Sequence, residues 1–181
     1  PYGIFAQGMG IAMLPTLSSY IATGKIDEYK DTLMKGIKTV LLLTVPSGVG
    51  FIVLREPIIR TIFKFTSLFD EEAVMVAGSI LMFFSIALLS QSIVTVVNRA
   101  FYAINDTLTP LLIGGSTIII NIALSVIFYQ TTTLGVAGMA LAYSIASALN
   151  AFLLLTVLNK KTKGIYLLNL LKFLLRVVPA S

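Results

Sequence analysis

RAFYAINDTLTP, residues 99–110, interrupts the longest apolar region of the chain with an arginine, an asparagine, an aspartate and a proline. Residues 73–98 before it carry no charged side chain, and after Asp106 the next charge is Lys160. A charged turn between two uncharged runs of this length reads as a hairpin joining membrane helices, because each run exceeds the roughly 20 residues needed to cross about 30 Å of hydrocarbon. Nearly every residue of the stretch then has a place at a helix end. Arg99 closes the first helix, where a cation meets the negative pole of the helix dipole. Asn105 and Asp106 supply the turn, since their side chains bond nearby backbone groups. Thr109 is the expected N-cap of the next helix, with Pro110 at its first position. Phe101 and Tyr102 are expected at headgroup level, as aromatic residues are at membrane interfaces.

Composition supports a bilayer environment. The chain is 57% hydrophobic and 12% charged with a mean hydropathy of +0.95, against roughly 25% charged in soluble domains. Histidine and cysteine are absent, which removes histidine bases, thiol nucleophiles, zinc sites and disulfides, so no enzyme and no cofactor is expected. The net charge of +5 is spread between apolar blocks rather than gathered on one face, so no nucleic-acid partner is implied. The chain begins at Pro1 and ends at Ser181 inside an apolar run; we expect an internal piece of a longer membrane protein.

Working outward from the hairpin, five blocks are long enough to span: about 1–22, 34–54, 72–98, 109–129 and 134–158. The expected fold class is therefore all-α, a polytopic bundle over 1–158, with 159–181 a loop and the start of a sixth membrane helix. Residues 56–66 are too charged to span, but their isoleucines and phenylalanines fall near helical spacing, which predicts an interfacial amphipathic helix. Lys25, Lys30, Lys35 and Lys38, then Arg99, then Lys160, Lys161 and Lys163 follow blocks one, three and five. Arg55, Arg60 and Lys64 follow block two. The excess of basic residues puts the first, third and fifth connections in the cytoplasm. Lys172 and Arg176 are expected to snorkel at the cytoplasmic edge of the sixth helix.

Within the blocks the informative residues are polar ones, since hydrocarbon penalises them unless they face a partner or a wet cavity. Gln91 and Thr95 lie one turn apart in block three, Asn121 and Ser125 in block four, and Ser144, Ser147 and Asn150 in block five. Two readings stay open: a polar lumen or ion site, or hydrogen bonds between helices. Pro15 and Pro46 are hinge candidates; the alternative is that Pro15 ends a helix and Pro46 bends one for packing. Gly3, Ala6 and Gly10, with Gly135, Gly138 and Ala142, are expected to let helices approach closely. Arg99, Asp106 and Pro110 form a candidate gate, Arg99 and Asp106 being the expected ion-pair partners. No acidic or basic side chain falls at mid-bilayer in a complete block.

Several strings coincide in order and spacing: AMLPTLSSYIATGKIDEYKDTL (12–33), LLLTVPSGVGFIVLREPIIRTIF (41–63), RAFYAINDTLTP and LGVAGMALAYSIASALNAFLLL (134–155). Together they resemble the lipid II flippase family MurJ/MviN of the multidrug/oligosaccharidyl-lipid/polysaccharide exporter superfamily. The resemblance implies a fourteen-helix, two-lobe exporter of the bacterial cytoplasmic (inner) membrane, with this chain most of the second lobe, helices eight to twelve and the start of thirteen. It implies movement of an undecaprenyl-linked peptidoglycan precursor from inner to outer leaflet by alternating access, partnered by an N-terminal lobe outside this chain. It further implies a substrate cavity half-lined here, with Gln7, Gln91 and Asn121 as candidates, and sodium or membrane-potential coupling. Asn121 matches a sodium-ligand position, although Ser125 stands one turn later where an aspartate would complete that site. A polysaccharide-repeat flippase, a multidrug or cation antiporter of the same superfamily, and a non-transporting scaffold are the alternatives.

Overall fold

The structure, a computed structural model, describes residues 2–63, 70–162 and 164. Among the described residues it contains six helices and no strand: α1 (Tyr2–Ala22), α2 (Ile26–Val53), α3 (Arg55–Phe63), α4 (Glu71–Ala103), α5 (Leu108–Thr131) and α6 (Val136–Lys161). All but α3 are long and apolar enough to cross a membrane. The expected sixth membrane helix, Lys64, Lys163, Lys172 and Arg176 lie outside the described residues.

Two expected boundaries move most. The second span starts at Ile26 rather than near 34. Its first turn carries Asp27 and Glu28, which favour the positive end of a helix dipole, and Tyr29, Leu33, Met34 and Ile37 bury one face while Lys35 points outward. Charge there marks an amphipathic helix rather than a loop. The third span runs through Ala103, five residues past the expected end, so Arg99 sits inside the helix and the hairpin shrinks to residues 104–107. Phe101 is fully buried in the core, whereas Tyr102 is exposed. Pro15 does not end α1, which continues seven residues to Ala22, and α2 likewise continues past Pro46.

The core joins α1, α2 and α4 with the last turns of α6, around Leu17, Leu33, Ile37, Leu41, Val96, Phe101, Leu154 and Leu158. Close approach depends on a few positions without a side chain. A Cβ on Gly36 would overlap Met13 Sδ and Cε at the α1–α2 crossing. A Cβ on Gly138 would stand 3.1 Å from Phe128 Cβ and 3.4 Å from its carbonyl oxygen, where α5 lies on α6. Gly10 is as tight against Arg99 Cγ, at 3.1 Å. Ala6, Gly10, Gly138 and Ala142 are buried as expected, but Gly3 is exposed with open space beside it. Gly135 has φ +52 and serves the turn into α6.

Helix α5 stands apart from this core. It packs on α6 and barely touches α4, and Leu111, Leu112, Ile118, Ile119 and Ile122 are all more than half exposed. Helix α3 covers the described part of the stretch expected to form an amphipathic helix. It buries Ile59 and is pinned to the start of α4 by Arg60, whose guanidinium meets Glu71 through two contacts of 2.7 and 2.6 Å. Asp70 caps α4, accepting from the Ala73 N–H at 2.9 Å.

Candidate functional site

The hairpin between α4 and α5 is built from backbone rules. The N–H of Asp106 donates to Phe101 O at 3.0 Å and that of Asn105 to Tyr102 O at 3.0 Å, with Asn105 at φ 57. This is a Schellman ending, and asparagine is one of the few residues that tolerates the left-handed position. Ala100 O is capped from another helix, by the Tyr29 hydroxyl at 2.9 Å. The expected N-cap changes identity: α5 begins at Leu108, and Asp106 Oδ1 accepts from the Thr109 N–H at 3.0 Å. Pro110 follows inside the first turn, buried. Thr109 lies inside the first turn of α5, after Leu108, so it is not the cap.

The expected ion pair also changes partner. Asp106 Oδ2 accepts from Lys161 Nζ at 2.5 Å, and the same ammonium donates to Thr109 Oγ1 at 3.3 Å. Burial works against the charged form of Asp106, but hydrogen bonds from Lys161 and from the side chain and N–H of Thr109 outweigh it, bringing its carboxyl down to about 2. Arg99 instead lies 5.8 Å from the centre of the Tyr102 ring, its stem against Gly10 of α1. A hollow beside the clasp is lined by Ile21, Ile26, Ile104, Asp106, Lys161 and Thr162, so the first, third and fifth connections meet at one lysine-bearing end.

A second polar assembly lies deep in the span. Gln91, Thr117, Asn121, Tyr143, Ser147 and Asn150 line a cavity of ≈290 Å³ between α4, α5 and α6. Gln91 Nε2 donates to Tyr143 OH at 3.0 Å and to Ser147 Oγ at 3.2 Å, and the Ser125 hydroxyl donates to Asn121 Oδ1 at 3.3 Å. Gln91 and Asn121 thus line one cavity. Gln7 is not with them: it is exposed on α1, which does not contact α5 or α6 substantially. Ser144 ties α6 to α4 through Phe83 O at 2.5 Å. No group of three or more acidic, histidine or cysteine side chains lies close enough to hold a metal among the described residues. Pro15 and Pro46 are both exposed on their helices.

Comparison with known proteins assigns these features to one lineage. The family model "Lipid II flippase MurJ" matches residues 1–181. The chain belongs to the MurJ family. A solved structure, "Lipid II flippase MurJ, inward closed conformation", is similar at a TM-score of 0.80 and 29% identity, covering 98% of this chain and 36% of that one. The probable lipid II flippase MurJ of Rhizobium tropici is 30% identical over 161 residues, 89% of this chain and 30% of that protein. The lipid II flippase MurJ of Thermosipho africanus is 31% identical over 155 residues, 86% of this chain and 31% of that protein. The chain spans about a third of the length of the curated MurJ relatives it matches.

Tyr143, Lys161 and Tyr29 are absent from the sequence-derived candidates, yet each completes part of the polar structure. Lys161 is 55 residues from Asp106 and Tyr29 is 71 from Ala100, separations that local spacing does not report. A weaker signal did exist for Tyr143: it sits one turn before Ser147, on the polar face already marked by Ser147 and Asn150.

Proposed function

We propose that this segment is most of the second lobe of a transporter that moves a lipid-linked peptidoglycan precursor from the inner to the outer leaflet of the bacterial cytoplasmic membrane. The observation that carries this reading is the family match along the whole chain, joined by structural similarity over nearly all of it. The lysine-bearing end faces the cytoplasm, following the positive-inside bias. The N-terminal lobe is the partner against which this lobe rocks to give alternating access.

In that cycle the α4–α5 hairpin acts as part of the cytoplasmic gate. Asp106 and Lys161 join the tip of the hairpin to the end of α6, so the gate moves with the lobe rather than as a loose loop. Arg99 presents a guanidinium beside Tyr102 at the same end, free to pair with an acidic group of the partner lobe or with the precursor's phosphates. Pro110 fixes the first turn of α5. Pro15 and Pro46 lower the bending stiffness of α1 and α2, because each removes a backbone donor inside a long helix. Gln7 faces outward on α1 toward the shared cavity, and Gln91 and Asn121 contribute neutral polar groups deeper in the lobe. Coupling to sodium through Asn121, or to membrane potential, would draw further oxygen ligands from outside this chain, since Ser125 offers a hydroxyl where a carboxylate is needed.

The test is replacement. The whole protein is expressed in a bacterium whose own lipid II flippase can be shut off, and survival is measured together with exposure of lipid II at the outer surface. Rescue with surface exposure supports the reading. Correct membrane insertion without rescue refutes it, and rescue of export of a polysaccharide repeat unit or a cationic drug instead would favour the sister branches of the superfamily.

A further inference from the structure

The cavity between α4, α5 and α6 has a chemistry of its own. Gln91, Asn121 and Asn150 lie 12, 13 and 11 residues from the Ala103, Leu108 and Lys161 ends of their helices, about 16–20 Å into the span at 1.5 Å per residue. All three are at one level, near the middle of the bilayer. The lining is polar but carries no charge: amides of Gln91, Asn121 and Asn150, hydroxyls of Thr117, Ser147 and Tyr143. The Asn150 Oδ1 is buried and accepts no hydrogen bond from any described residue. Tyr143 and Ser147 spend their oxygens as acceptors for Gln91, which leaves both hydroxyl protons to donate elsewhere.

We infer that this cavity is a membrane-embedded water site, holding a small cluster of ordered waters inside the lobe. A water site must be roomy and must offer each water two to four polar partners. The ≈290 Å³ of this half-open cavity exceeds the roughly 30 Å³ share of one liquid water several-fold. Free acceptor capacity on Asn150 and free donor capacity on Tyr143 and Ser147 supply the partners. Water resolves the orphaned Asn150 oxygen, whose burial in hydrocarbon without a donor is otherwise unfavourable. A cluster at this place also keeps the α4–α5 seam wet: the two helices scarcely touch, and water bridges are more easily exchanged than packed side chains. The hydrated seam lets α5 shift against α4 while α6 carries it.

Hydroxyl-radical footprinting of the full-length protein in lipid nanodiscs reads the waters directly, since radicals form on water beside the labelled side chain. Tyr143 should be modified about tenfold faster than the buried Phe101. Asn150→Leu should remove most of that excess while the protein remains monodisperse and folded; Asn150→Asp should keep it. Protection of Tyr143 equal to that of Phe101 in the wild type would overturn the inference. Loss of Tyr143 labelling on titration with sodium chloride but not with choline chloride would overturn it as well, because the cavity would then be a cation site.

Discussion

Removing the carboxylate of Asp106 while keeping its shape should detach the α4–α5 hairpin from α6 without unfolding either helix. Asp106→Asn retains an oxygen to accept the Thr109 N–H, so the helix cap survives and only the pairing with Lys161 is lost. The Asp106 carboxyl titrates at about 2 against an ordinary 3.8, a depression of nearly two units at about 1.36 kcal/mol each. The Lys161 side chain is 43% exposed and that of Asp106 15%, so solvent screens the pair and the contribution falls to about 1–1.5 kcal/mol. The sign follows from the direction of the shift. A carboxyl depressed in the folded state stabilises it fully above the unfolded value, and that contribution is lost as pH falls from about 4 toward 2. Thermal unfolding of the full-length protein in detergent should therefore place Asp106→Asn below the wild type at pH 7, with the gap closing between about pH 4 and 2. The wild-type minus Asp106→Asn difference isolates this group from the other carboxylates. Asp106→Ala should lose about 1 kcal/mol more, because the cap goes too. Lys161→Met should reproduce Asp106→Asn, and the double variant should be no worse than either single one. Additive losses in that cycle, or a gap as large at pH 2 as at pH 7, would refute the clasp.

Tyr29→Phe should destabilise by about 1–3 kcal/mol, since Ala100 O is left buried without its donor; denaturant unfolding in mixed micelles checks it, and a neutral result would mean that Ala100 O is satisfied otherwise. Asn105→Gly should be neutral or slightly stabilising and Asn105→Val should cost about 1–2 kcal/mol, because φ 57 suits glycine and resists a β-branched residue. Gly138→Leu should separate α5 from α6 at Phe128, costing about 1–3 kcal/mol by overpacking, seen as a lower melting temperature and faster proteolysis at the α5–α6 connection. Gly36→Val should act similarly at Met13, and Met13→Ala in the same chain should restore most of the loss.

The sequence made the membrane helices legible because hydrocarbon imposes one rule on every residue of a span. The uncharged runs before Arg99 and after Asp106 could be nothing but helices, and the small residues at Gly10 and Gly138 announced close crossings. Boundaries failed where charge and helix coexist. Lys30, Lys35 and Lys38 looked like a loop, yet helical spacing lets them share α2 with a buried face of Tyr29, Leu33 and Ile37. Arg99 looked like a terminus, yet its stem packs on Gly10 and its guanidinium rests by Tyr102, so four more residues could follow it in helix. Polar pairings were half legible for the same reason. Asn121–Ser125 is one turn apart on a single helix and can be read from spacing; Gln91–Tyr143 and Asp106–Lys161 depend on which helices become neighbours.

That distinction bears on how the lobe moves. Contacts among α1, α2 and α4 are mostly apolar, joined by the Tyr29–Ala100 hydrogen bond and closely packed at Gly36 and Gly48, so they resist relative sliding. Helix α5 is held differently, by one close crossing on α6, by the clasp at the lysine-bearing end and by a polar cavity on its α4 side. In the proposed two-lobe transporter, a force applied to the hairpin would pass through Lys161 into α6, and from Leu154 and Leu158 into the core. On the proposed reading the yielding seam is α4–α5, and the rigid one is α4–α6, which Ser144 staples to Phe83 O. Cross-linking engineered cysteine pairs separates the two in the full-length protein: an α4–α6 pair near Phe83 and Ser144 should leave transport intact. A pair joining Gln91 to Asn121 across the cavity should slow it reversibly, with recovery on reduction. Equal tolerance of both cross-links would mean that the lobe moves as one undivided body, with α5 carried along passively.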